Sequence, residues 1–158
     1  MRSSYRSGKR TTYMNLDLSL KILSVCNENT TRSVLLEHYL KSLGFLHIVS
    51  AGLTPVGFAN PLVEELLKTN GIQVNLDDPR GLDDIDIGDF DVVIALSQNG
   101  YERLKDFKIK GDLGDAELEY WDIAAPPSFG EVSRAQLLDA YSRLYNDIKA
   151  HTKNRFDV

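Results

Sequence analysis

The sequence predicts an α/β fold: a single-domain, open, mainly four-stranded parallel sheet with helices on both faces. Three observations carry this. Short apolar runs recur along the chain, too short for helices and rich in β-branched residues. Segments of helical periodicity follow most of them, and strand–helix alternation requires crossovers that make the strands parallel. The 158 residues suit one domain, a size at which roughly 68–70% of the unfolded surface becomes buried.

Residues 1–17 read as a flexible basic arm. They are rich in Ser, Thr, Arg and Lys without periodicity, and Met14 is an alternative first residue. Leu20-Lys21-Ile22-Leu23-Ser24-Val25 reads as a buried strand. From about Thr31 the pattern turns helical, with Val34, Leu35, Tyr39, Leu40 and Leu43 on one broad face and Gly44 as the stop. Phe45 to Ser50 is a second strand, broken by Ala51-Gly52. Asn60-Pro61 is an N-cap followed by proline at the first helical position, and Asn70-Gly71 closes that helix. Ile72 to Leu76 reads as a short third strand and residues 77–90 as an acidic loop. Asp91-Val92-Val93-Ile94-Ala95-Leu96 is the clearest strand, and Ser97 caps a helix over 98–106. Ser128 and Glu131 have the spacing of a capping box. Val132, Ala135, Leu138, Tyr141, Leu144, Tyr145 and Ile148 follow at the spacing of a long amphipathic helix whose tyrosines read as packing. The folded domain is expected over 18–152, with 153–158 as a tail.

Charge and composition exclude several roles. The net charge of −5 argues against nucleic-acid binding by the protein as a whole. The basic excess is local: Arg2, Arg6, Lys9 and Arg10 stand in an N-terminal stretch without acids. No apolar run approaches the ~18 residues of a membrane span, and the basic N-terminus lacks the apolar segment of a secretory signal. A single cysteine cannot form an internal disulfide, which favours a reducing compartment, the cytoplasm. His38 and His47 have no second His or Cys at ligand spacing. The stretch Asp77–Asp91 lacks the Gly and Glu placement of a calcium loop. Neither metal nor cofactor is expected.

A lone cysteine is ordinarily a small buried hydrophobe. Cys26 has surroundings that favour a second reading. Cys26-Asn27-Glu28-Asn29-Thr30-Thr31-Arg32-Ser33 joins a buried strand to a helix N-terminus. Backbone N–H groups of such a loop can form an anion nest, and the helix end adds partial positive charge. Those surroundings favour thiolate, and Arg32 can grip two oxygens of a tetrahedral oxyanion. Thiolate below and guanidinium beside suit in-line attack on phosphorus, giving a cysteinyl-phosphate that water hydrolyses. The Cys–Arg spacing alone is a weak signal; its place between strand and helix strengthens it.

The segment Ile22 to Ser33 resembles the signature V-C-x-G-N-x-C-R-S of the low-molecular-weight protein tyrosine phosphatases and their arsenate-reductase relatives. The resemblance continues through Ser50-Ala51-Gly52, Gly57 to Pro61, Gly71-Ile72, Asp91 to Leu96, and Trp121-Asp122-Ile123-Ala124-Ala125-Pro126. It covers about residues 20–150 in order. It implies that Cys26 is the nucleophile and Arg32 the phosphate clamp. Asn27, Glu28, Asn29, Thr30, Thr31, Arg32 and Ser33 would cradle phosphate, while Asn29, Ser33 and Ser50 support the loop. The implied substrate is a phosphorylated protein, of the phosphotyrosine type, or a small phosphomonoester.

The departures are as specific as the matches. The family's general acid, the Asp of an Asp-Pro pair, is replaced by Ala125 before Pro126. Losing such a donor typically costs ~10²–10⁴ in rate. Asp122 is the substitute acid that the sequence offers. Glu28 replaces a Gly whose backbone freedom the loop would use, and its carboxylate at the rim would repel a phosphate dianion unless it faces solvent. Thr31 replaces the second loop cysteine. Thr30 is similar to the residue of bacterial arginine-phosphatase members. Asp77 falls about where the family often has a loop-supporting His, and Pro127-Ser128-Phe129 replace the aromatic wall of a phosphotyrosine pocket. Three functions compete: a phosphatase with an atypical or missing acid, a degenerate phosphate- or phosphoprotein-binding module, and an arsenate reductase using an external thiol.

Overall fold

The computed structural model describes residues 16–158; the basic arm up to residue 15 and the alternative start at Met14 lie outside the described residues. Four strands, β1 (Lys21–Cys26), β2 (His47–Gly52), β3 (Val92–Ala95) and β4 (Glu117–Tyr120), form one sheet in the order β2-β1-β3-β4. Every pairing is parallel, and the register sets Cys26 beside Gly52 and Val25 beside Ala95. The helices are α1 (Arg32–Ser42), α2 (Pro61–Thr69), α3 (Gln98–Ile109) and α4 (Arg134–Phe156).

The strands alternate between two cores, as a period-2 pleat requires. Ile22 and Ile94 meet Leu36 of α1, Leu67 of α2 and Ile148 of α4 on one face. Leu23, Val25, Val93 and Ala95 meet Leu104 of α3 on the other. The chain leaves β1 toward one side of the sheet and later returns to place β3 on its other side. The switch point therefore lies between the carboxyl ends of β1 and β3, where open parallel sheets hold ligands. Cys26 ends β1 there.

Four expectations need correction. The fourth strand is β4, not Ile72–Leu76. Ile72, Val74 and Leu76 do alternate into the first core, but in that stretch no strand pairs with them; the chain touches the sheet edge only at a bridge between Gly81 and Gly52. Ala51 and Gly52 belong to β2 instead of breaking it. The long helix begins one turn later than expected: Ser133, not Ser128, is its N-cap, with Gln136 closing the capping box. Ser128 N–H still bonds the Glu131 carboxylate, as a local turn. The expected tail 153–158 is mostly helix, because α4 runs to Phe156, whose buried ring packs edge-on at 5.1 Å from Phe45. Asn60 and Ser97 cap α2 and α3 as expected, accepting from Leu62 N and Gly100 N.

Tyr145 of α4 is buried against Tyr39, ring edge to face at 5.7 Å. Burial, reinforced by Tyr39, pushes its phenol up to about 12. A folded-state value above the unfolded one stabilises the fold fully below the unfolded value and is lost as pH rises through the folded value. Chemical denaturation is therefore expected to show stability falling between about pH 10 and 12, a loss that Tyr145→Phe diminishes.

Candidate active site

Asn29 ties the loop between β1 and α1 to three neighbouring segments. Asn29 is buried and adopts φ 57°, a left-handed conformation that Asn tolerates better than most residues. Its Nδ2 donates to Ser33 Oγ at 3.0 Å and to Ser50 Oγ at 2.9 Å, and its Oδ1 accepts from Arg80 N at 2.8 Å. Glu28 has no positive φ. The left-handed turn falls at Asn29 instead, so the loop forms without glycine at position 28. Glu28 is exposed at the cavity rim.

These bonds have a direction. The buried Glu37 carboxylate on α1 is held by Lys41 at 2.6 Å and accepts from Ser50 Oγ. Ser50 spends its proton on Glu37 and so receives Asn29 Nδ2 on a lone pair. Ser33 Oγ likewise receives Asn29, which leaves its own proton for Cys26 Sγ, 3.0 Å away. That bond fixes the position of the sulfur at the end of β1. Ser33 is fixed further by Ser24 Oγ, which donates to its carbonyl at 3.1 Å. Glu37 thus supplies the support expected from the position of Asp77, which is exposed and pairs with Arg80 at 4.0 Å. His38, next to Glu37, is shifted down by burial, against the upward pull of Glu37.

The other loop residues face a cavity of about 320 Å³ that Cys26, Asn27, Glu28, Thr30, Thr31 and Arg32 line. Among the described residues no protein acceptor takes the backbone N–H groups of Asn27 to Thr31, which suits an anion nest. Arg32 Nη1 donates to the carbonyls of Leu96 at 3.0 Å and Ile123 at 2.9 Å. One nitrogen anchors the guanidinium between β3 and the loop after β4, and its other donors remain for an oxyanion. Asn27 accepts from Ser97 Oγ at 2.8 Å, tying the loop to the cap of α3.

The opposite wall comes from the segment after β4. Ala125, Pro126, Pro127, Ser128 and Phe129 line it. An aromatic ring therefore does stand at the cavity, supplied by Phe129. Asp122 is not brought to Cys26: it is exposed, does not line the cavity, and accepts from Tyr120 Oη at 3.2 Å. Partial burial and then Asp122 push the Tyr120 phenol up. Two cavity residues carry no sequence signal as such. Asn60, read only as a helix cap, also donates to Thr31 Oγ1 at 3.1 Å and Tyr141 Oη at 2.8 Å; Tyr141, read as packing, lines the cavity. Among the described residues no group of three His, Cys, Asp or Glu side chains is arranged to hold a metal.

The family model for low molecular weight phosphotyrosine protein phosphatase matches residues 21–154, from the start of β1 to within two residues of the end of α4. The chain belongs to that family. No curated protein matches the sequence. Solved structures do. A Drosophila arginine phosphatase is 20% identical with a TM-score of 0.68, covering 86% of this chain and 98% of its own. An arsenate reductase from Archaeoglobus fulgidus is 22% identical with a TM-score of 0.65, covering 87% and 100%. Vibrio vulnificus Wzb in complex with benzylphosphonate is 20% identical with a TM-score of 0.64, covering 85% and 98%. At these identities the likeness shows the shared fold.

One family feature here has a plain steric reason. Gly52, opposite Cys26 in the register, is the surface on which the loop lies. A Cβ at Gly52 would stand 2.7 Å from Asn29 N, 2.8 Å from Glu28 C and 2.9 Å from Asn27 O, all backbone. Gly52→Ala is expected to cost about 1–3 kcal/mol of stability and to weaken inorganic phosphate binding at least tenfold, measured by denaturant unfolding and calorimetry.

Proposed function

We propose that the protein is a cysteine-dependent phosphomonoesterase, acting on phosphorylated proteins of the phosphotyrosine type or on small phosphomonoesters. The observation that carries this reading is the directed chain from Glu37 through Ser50, Asn29 and Ser33, which ends in a hydroxyl donor on Cys26 Sγ. Such a chain has little use around a thiol that merely packs.

Cys26 thiolate attacks phosphorus while the loop N–H groups and Arg32 hold the equatorial oxygens. An S–P bond forms and the ester P–O bond breaks. Water then attacks the cysteinyl-phosphate, releasing phosphate and restoring the thiolate. Arg32 is braced by two carbonyls, so its fork is oriented before substrate arrives, which is how electrostatic stabilisation avoids reorganisation. A nucleophile that must stay reduced suits the cytoplasm, and no helix among the described residues is long and apolar enough to cross a membrane. A second reading, a phosphate- or phosphoprotein-binding module, is favoured by Ala125 at the wall and by Asp122 turned to Tyr120.

Hydrolysis of para-nitrophenyl phosphate separates the two, because its leaving group needs little protonation. Turnover that Cys26→Ser abolishes supports the phosphatase. Binding of inorganic phosphate without turnover supports the binding module.

A further inference from the structure

We propose that Tyr141 is a catalytic residue: its hydroxyl gives the proton to the leaving oxygen, a task for which Ala125 has no side chain. The proposal rests on the phosphatase reading above. It starts from Asn60, whose amide is oriented by its helix. Asn60 Oδ1 caps α2 by accepting from Leu62 N at 3.0 Å, so Nδ2 must be the end that faces Thr31 and Tyr141. Nδ2 can only donate. Tyr141 Oη therefore accepts at 2.8 Å, and its own proton goes elsewhere. Among the described residues no acceptor takes that proton, and Tyr141 lines the cavity that holds Cys26 and Arg32.

The position is also fixed. The Tyr141 ring is buried in the core with 4% of its surface exposed. The same Asn60 nitrogen reaches Thr31 Oγ1 in the phosphate loop at 3.1 Å. The phenol is thus one amide away from the loop, in a pocket where solvent has little access to it. Among the described residues Glu28 is the one carboxylate lining the cavity. Its side chain stands exposed at the rim of that cavity, whereas the Tyr141 phenol is buried and held by Asn60.

The steps balance. As Cys26 sulfur bonds to phosphorus and the P–O bond breaks, the leaving oxygen takes the Tyr141 proton. The phenolate that remains, still bonded to Asn60 Nδ2, recovers a proton from the water that attacks the cysteinyl-phosphate. Phosphate leaves and Cys26 returns as thiolate.

The test is a series of substituted phenyl phosphates with leaving groups of increasing basicity, comparing the intact protein with Tyr141→Phe, which keeps the ring in the core. The proposal expects the ratio of kcat/KM for phenyl phosphate to that for para-nitrophenyl phosphate to fall by roughly 10². It also expects site-specific fluorotyrosine at 141 to move the alkaline limb of the phenyl phosphate pH profile to lower pH. An unchanged ratio with an unmoved limb overturns it, as does a steeper dependence in Glu28→Gln or Asp122→Asn that Tyr141→Phe does not share. If the intact protein hydrolyses none of the series, the phosphatase reading fails and the proposal with it. If it hydrolyses them and only the Tyr141 effects are missing, the assignment of Tyr141 alone fails.

Discussion

Asn29 sits where the supports of the thiol converge. A primary amide offers two donated bonds and an accepting oxygen, and Asn29 uses them on Ser33, Ser50 and the backbone of Arg80. It does so from a left-handed backbone, which most side chains would pay a steric penalty to adopt. The amide ties the end of β1, the start of α1, the middle of β2 and the segment before the Leu82–Asp84 turn into one unit. Gly52 makes that unit possible by leaving room for the loop backbone. The polarity of the chain of bonds comes from Glu37, an acceptor with nothing to donate when ionised, held by Lys41.

Topology supplies the rest. Because the switch point falls between β1 and β3, the carbonyls of Leu96 and Ile123, after β3 and β4, are within reach of an arginine that opens α1. The nucleophile belongs to the sheet, the clamp to a helix start, and the opposite wall to the loop after β4. The thiol and the guanidinium are each held by hydrogen bonds before an oxyanion enters, so neither needs to be ordered by it. The wall is where this chain departs from its family, and Tyr141 of the long helix lines the same cavity.

The sequence showed clearly whatever depends on local pattern. β1 and β3 are runs of apolar, partly β-branched residues buried on both faces, and Asn60, Pro61 and Ser97 announce the starts of α2 and α3. Cys26, Arg32, Asn29 and Ser33 share one contiguous loop, so their meeting could be read from order alone. β4 escaped notice because Glu117-Leu118-Glu119-Tyr120 is an edge strand, and its glutamates pair with Arg155. Ile72 to Leu76 misled because its alternation reflects real alternating burial without strand pairing. Ser128–Glu131 and Ser133–Gln136 carry the same capping pattern, and only packing of Leu137 and Tyr141 selects the later start. Glu37, Asn60 and Tyr141 carry no sequence signal as site residues because each joins the network around the loop through contacts between distant segments.

Cys26, held as an oriented nucleophile, is expected to become covalently phosphorylated during turnover. Rapid acid quenching during para-nitrophenyl phosphate turnover, followed by mass analysis of the peptide containing Cys26, tests it directly. One phosphoryl group is expected on Cys26, disappearing as substrate is exhausted. Turnover with Cys26 unmodified at every quench time, or unimpaired in Cys26→Ser, would contradict it.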